Sequence, residues 1–284
     1  MNFLDHVRKV DDLTGGHNKA LVTKCGGLGE VIKILRDQRV VQLKDPWVLL
    51  FEEDGQRINS SYRNTCKPDH AHYLIQPKLD YGERYECFMH AGFGEPGISA
   101  YGFESWAEAL SAKLMASDPL ANLSRGVCLP IILPQLPAVF NYGELLKEKF
   151  QKAVKTVLFK KFPDRKYVER HKDESCGKVR VVHESHERLI ARLKKGPEVA
   201  LYFPNPLQGF SVLASREQMK DLPKELYLTG GIDTYTAMAM YADVLARDFY
   251  TPGLDMAAIS YHSSEGSSHS TARGRYSAGL LFLG

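Results

Sequence analysis

Strand and helix signals alternate between Lys178 and Gly231. Lys178–His183 carries the β-branched pair Val181-Val182 and predicts a short strand. His186–Lys195 places Leu189, Ile190 and Leu193 at helical spacing and stops at Gly196-Pro197. Glu198–Phe203 predicts a strand, 204–209 a turn rich in Pro, Asn and Gly, and Phe210–Ala214 a returning strand. Ser215-Arg216-Glu217-Gln218 has the spacing of a capping box and opens a second helix. Glu225–Thr229 predicts a last strand, ending in Gly230-Gly231.

The order β-α-β-β-α-β is that of a ferredoxin-like unit. The expected fold is α+β: a mixed N-terminal region over 1–142, and a ferredoxin-like C-terminal half over 143–284 with an added helix and β-hairpin. The added helix runs from Thr234 to Tyr250 behind Asp233 as its cap, with Met238, Tyr241, Leu245 and Phe249 on one face. Met256–Tyr261 and Tyr276–Leu283 form the hairpin. In the N-terminal region, Leu28–Gln38 reads as a helix, Arg84–Met89 as a strand, and Ser105 as the start of a helix. Pro130, Pro134 and Pro137 make Leu129–Pro137 an extended connection, and so a domain boundary. Beyond it, Gly143–Phe162 predicts the longest helix, stopped by Pro163.

Charge is unevenly placed along this frame. The formal net charge is only +3, yet Leu146–Lys195 holds 16 Lys and Arg against 7 Asp and Glu. Such a block suggests a polyanion as partner, RNA above all. The expected contacts are Lys147, Lys149, Lys152, Lys160, Lys161, Arg165, Lys166, Arg170, Arg273 and Arg275. Tyr202, Phe203, Phe210 and Tyr227 are aromatic residues that a sheet could offer to stacked bases.

The chain has no apolar run long enough for a membrane helix and no secretory pattern at Met1-Asn2-Phe3. Its five scattered cysteines include no Cys-x-x-Cys pair, which predicts free thiols and a cytoplasmic protein. The loop from Cys25 to Glu30 is glycine-rich but lacks the Lys-Ser/Thr of a phosphate-binding P-loop, and reads as a tight turn. His70 with His72, and His183 with His186, lack a third ligand at zinc spacing. Neither a metal nor a cofactor is expected. No Gly-x-Ser-x-Gly nucleophile motif occurs.

His183-Glu184-Ser185 and His262-Ser263-Ser264 each end a predicted strand. The pair resembles the two His-x-Thr/Ser motifs of the 2H phosphoesterases. That resemblance implies an RNA phosphodiesterase with His183 and His262 as general acid and base, and Ser185 and Ser264 holding the phosphate. It departs from the family at Glu184 and Ser263, where an apolar residue belongs. The ferredoxin-like core with long inserted loops resembles the repeat-associated RNA-binding proteins of CRISPR complexes, which implies a subunit of a ribonucleoprotein. The leading expectation is therefore non-enzymatic binding of RNA or another single-stranded nucleic acid. The alternatives are the phosphodiesterase, and a structural or protein-interaction module.

Overall fold

The computed structural model describes residues 19, 22, 28–36, 49–59, 65–168, 177–261 and 275–284. Compactness divides the chain into Met1–Pro46 and Trp47–Gly284, whereas the sequence places a division near Tyr142. In the first unit Leu28–Leu35 is a helix, α1, within the predicted span.

The second unit is mixed α/β, built on a mixed sheet of five strands. The strands β1 (Leu129–Leu133), β3 (Glu198–Gln208), β7 (Tyr276–Phe282) and β4 (Leu226–Leu228) follow one another antiparallel in that order. β5 (Gly253–Asp255) runs parallel to the start of β7, on Tyr276 to Ala278. β2 (Val179–Val181) and β6 (Ile259–Tyr261) form a separate two-stranded ribbon. β1 pairs with β3 over Leu129–Leu133, so sequence from both sides of the proline-rich stretch shares one sheet. Pro130 is tolerated because β1 is the edge strand, where one side needs no ladder donor.

Alternation along the strands feeds two cores. Tyr202, Tyr227 and Leu281 pack with one apolar cluster; Leu201, Phe203, Leu226, Leu228, Leu280 and Phe282 pack with the other. The first cluster is covered by α2 (Tyr81–Ala91), α3 (Ala100–Met115), α6 (Glu184–Leu193) and α8 (Gly231–Met240). It is also covered by a long helix that begins as Tyr142–Leu145 (α4), widens into π-type turns over Leu146–Gln151, and continues as Lys152–Lys161 (α5). The second cluster takes Phe51, Leu114, Leu120 and residues around α7 (Val212–Gln218).

Several elements differ from the sequence reading. Arg84–Met89 is helical, not extended: Asp80 caps α2 by accepting from the Glu83 N–H, and left-handed Gly92 closes it. α3 begins earlier than Ser105, because the Ser99 hydroxyl accepts from the Gly102 N–H. The expected turn at 204–209 is strand, since β3 runs on to Gln208 and pairs again with β7 at Leu207 and Gln208 beyond an irregularity. Phe210–Ala214 is no hairpin partner; Ser211 caps α7 there. The predicted helix 234–250 starts at Gly231 and breaks at Tyr241, with only Ala242–Leu245 (α9) following. Gly230 is its N-cap, and Asp233 reaches back to the Gly230 N–H from the third helical position. β6 pairs with β2 and β7 joins the main sheet, so the expected C-terminal hairpin does not form.

Candidate functional site

Among the described residues, two gatherings of polar groups bear on function, one sealed and one open. The sealed one lies where β4 passes into α8. The Tyr142 hydroxyl accepts from the Gly231 N–H at 3.2 Å and lies 2.7 Å from His186 Nε2. The other ring nitrogen, Nδ1, lies 3.9 Å from Asp233 Oδ2. Asp233 accepts from the Gly230 and Thr234 N–H groups at the start of α8. Burial pushes His186 down to about 4 and Asp233 up to about 7. Both side chains are 0 % exposed, so no substrate atom reaches them; the group fastens α4 and α6 to the start of α8.

The folded His186 takes up its proton at lower pH than the unfolded chain does. Its contribution to stability is complete above about pH 6.5, the ordinary histidine value, and is lost as pH falls toward about 4. The destabilisation caused by His186→Gln is therefore expected to shrink over that interval. Urea melts of both proteins at pH 7 and pH 4.5 measure it; an equal difference at both pH values would mean that His186 is not buried neutral.

His183 and Ser185 are close, as their sequence spacing requires. His183 caps α6: its Nδ1 accepts from the Ser185 N–H at 3.2 Å and from the Ser185 hydroxyl at 2.8 Å. The same hydroxyl accepts from the Leu228 N–H at 3.0 Å, so Ser185 is committed to joining α6 to β4. Burial lowers the His183 imidazole pKa. His262 and Ser264 lie outside the described residues. The ribbon register sets Tyr261 opposite Val179 and Ile259 opposite Val181, so Tyr261 and His183 stand toward opposite ends of it.

The open place is a cleft of about 560 Å³ between the widened helical turns, β2 and the chain from Leu254 to Tyr261. That size is in the usual range for small-ligand sites. Lys147, Tyr167, Tyr235, Asp255 and Tyr261 are among its walls. The π-type turns hold Lys147 and Gln151 on this side, and Gln151 donates to the Tyr167 hydroxyl at 3.1 Å. The Lys155 ammonium lies 6.0 Å from the Tyr167 ring centre. Burial raises the Asp255 carboxyl to about 6, and no hydrogen bond to it occurs among the described residues.

Asp255 stands at a folded value above its unfolded one, so its effect on stability is neutral below about pH 4 and unfavourable once pH has risen through about 6. Asp255→Asn is expected to stabilise the protein at pH 8, because the amide carries no charge for burial to disfavour. The gain disappears near pH 4. Thermal melts at the two pH values check it, and a loss of stability at pH 8 would show that the carboxylate has a structural partner.

The chain matches no protein-family model, no curated protein and no solved structure. The site is accordingly read from its own groups.

Among the sequence-predicted cations, Lys147 lines the cleft. Lys149 is half-buried, which lowers its pKa. Lys152 pairs with Glu148 one turn away. Lys160 and Lys161 are exposed and border a shallower recess beside Cys87 and His90. Lys166 is exposed. Arg165 is exposed but engaged: its guanidinium donates to the carbonyls of Ala246 and Arg247 and stacks 3.8 Å over Phe162. Arg275 is exposed beside Tyr276. Arg170 and Arg273 lie outside the described residues. The aromatic residues assigned to a stacking platform, Tyr202, Phe203, Phe210 and Tyr227, are all buried, because both faces of the sheet are covered. The cleft tyrosines were missed because they come from separate segments; Tyr167 lies within the basic block, but nothing in the sequence brings Tyr235 and Tyr261 to it.

Among the described residues, no group of three or more His, Cys, Asp or Glu is placed to hold a metal ion, and no helix is long and apolar enough to cross a membrane. Cys66, Cys87 and Cys128 are free, and burial pushes the Cys128 thiol up to about 12.

Proposed function

We propose that the protein binds single-stranded nucleic acid, RNA foremost, along α5 and into the adjoining cleft. The supporting observation is a run of exposed cations on the helix that leads out of an aromatic-lined cleft. Lys152, Lys155, Lys160 and Lys161 are exposed on α5, Lys166 follows them, and Lys147 stands in the cleft that contains Tyr167, Tyr235 and Tyr261. Of the five exposed lysines only Lys152 forms an ion pair among the described residues. Cations that track a phosphate backbone beside aromatic side chains are how single strands are held without base pairing.

Strand and helix alternate over 178–240 as β2-α6-β3-α7-β4-α8, with β2 in a ribbon apart from β3 and β4, and the interaction surface proposed is helical and not the sheet. A role as a subunit of a ribonucleoprotein in a reducing cytoplasm follows from the same proposal; free Cys66, Cys87 and Cys128 accord with it.

Lys152→Glu, Lys160→Glu and Lys161→Glu combined are expected to weaken binding of a single-stranded RNA by ten- to a hundredfold. The slope of log affinity against log salt should flatten by roughly 0.7 for each phosphate that is no longer neutralised. Fluorescence anisotropy over a salt series measures both. An unchanged slope and affinity would reduce the lysines to a solvated helix face.

A further inference from the structure

We infer that the cleft beside the widened helical turns is a guanine site, in which the Asp255 carboxylate takes the Watson–Crick edge of the base. This deepens the nucleic-acid reading and rests on it for the choice of ligand class. The starting point is the composition of the cleft walls. Asp255 sits on β5, half-buried, and its side chain receives no hydrogen bond from the described residues. It is the carboxylate among the described lining residues and is ionised at neutral pH. An ionised carboxylate has two acceptor oxygens and no donor. A ligand that engages both oxygens at once presents two donors side by side.

Among the four RNA bases only guanine does so on that edge, with N1–H and the N2 amine. Adenine and cytosine each place a ring-nitrogen acceptor next to their amine, and uracil flanks its single N–H with two carbonyls. Each of these sets a lone pair against one carboxylate oxygen. The rest of the cleft suits a nucleotide. Tyr167, Tyr235 and Tyr261 are among its walls and offer rings for stacking, worth about 1–3 kcal/mol for each base stacked. Tyr167 is held by its bond from Gln151. Lys147 lies in the same wall and Lys155 beside Tyr167, which places positive charge for a phosphate.

A guanidinium group from an arginine side chain also presents paired donors. Lys147 and Lys155 argue against it, because they would repel a second cation and attract the phosphate of a nucleotide.

The test uses the full chain and mononucleotides, so it does not depend on the α5 lysines engaging a long strand. Calorimetric titrations at pH 7.5 compare guanosine, inosine and adenosine 5′-monophosphates, and methylguanidinium. Guanosine monophosphate is expected to bind at least tenfold more tightly than adenosine monophosphate. Inosine monophosphate, which lacks the N2 amine, should fall between them. Asp255→Asn should remove the difference between the guanine and adenine nucleotides while the protein stays folded by circular dichroism. Equal affinity for the three nucleotides, no nucleotide binding at millimolar concentration, or preference for methylguanidinium each overturns the inference. Steep salt-dependent RNA binding alongside any of these would leave the α5 interface standing without the guanine site. Guanine discrimination in a protein that ignores RNA would do the reverse.

Discussion

Arg84→Ala is expected to lower the stability of the Trp47–Gly284 unit by about 3–5 kcal/mol, the usual result of removing one partner from a buried charge pair. The guanidinium leaves α2 with its side chain 4 % exposed and meets both oxygens of Asp243, at 2.8 and 2.9 Å. It also donates to the Met240 carbonyl at 3.0 Å and lies 4.5 Å from the centre of the Tyr241 ring. These interactions meet at the break between α8 and α9, where Tyr241 departs from helical geometry and the carbonyls before it are left without their next helical donor. One planar, five-donor group serves the carboxylate, the carbonyl and the ring together, so lysine is not expected to rescue the variant. Urea denaturation gives the readout: the midpoint should fall while the slope is unchanged. A loss under about 1 kcal/mol, the scale of a surface ion pair, would mean that the break is held by Tyr241 packing and its hydroxyl bond to the Pro130 carbonyl instead.

Gly230→Ala is expected to cost at least 1–3 kcal/mol, the range for overpacking a filled core. A Cβ at position 230 would lie 2.5 Å from His186 Cε1 and 2.6 Å from Nε2. The ring is 0 % exposed and its Nε2 is bonded to Tyr142, so the imidazole has no empty volume to move into. Displacing it would separate Tyr142 from both His186 and the Gly231 N–H. The double variant Gly230→Ala with His186→Ala should recover part of the loss, because the smaller side chain frees the space that the methyl needs. Additive losses in a double-mutant cycle would show that the damage comes from the α8 cap and not from the ring.

The difference between what was legible and what was not follows the range of the forces involved. That Tyr276–Phe282 is a strand was legible in its apolar run, but its place between β3 and β4 was not, since the sequence reading paired it with Met256–Tyr261. α6 was legible because Leu189 and Leu193 recur one turn apart above a cap. The extent of β3 was not, since Pro204 and Pro206 read locally as a turn and only pairing with β7 on the far side of the irregularity keeps the chain extended. α2 was misread because its most buried polar residue, Arg84, finds its partner 159 residues away. The aromatic residues of the predicted platform illustrate the same limit. Alternation correctly separates Tyr202 from Phe203, but whether either face meets solvent depends on helices contributed from elsewhere in the chain.

For the site, the sequence by itself determined the supply of positive charge, because the count of lysines between Leu146 and Lys195 needs no fold. It did not determine the His183–Ser185 contact, which requires α6 to begin at Glu184, two residues before the predicted start. Only the tertiary structure decided that the Arg165 guanidinium is taken up by backbone carbonyls and that Asp255 shares a cleft with Lys147 and three tyrosines. Charge composition is a property of the chain, whereas desolvation is a property of neighbours. The groups that desolvate Asp255 come from sequence segments that local spacing does not connect.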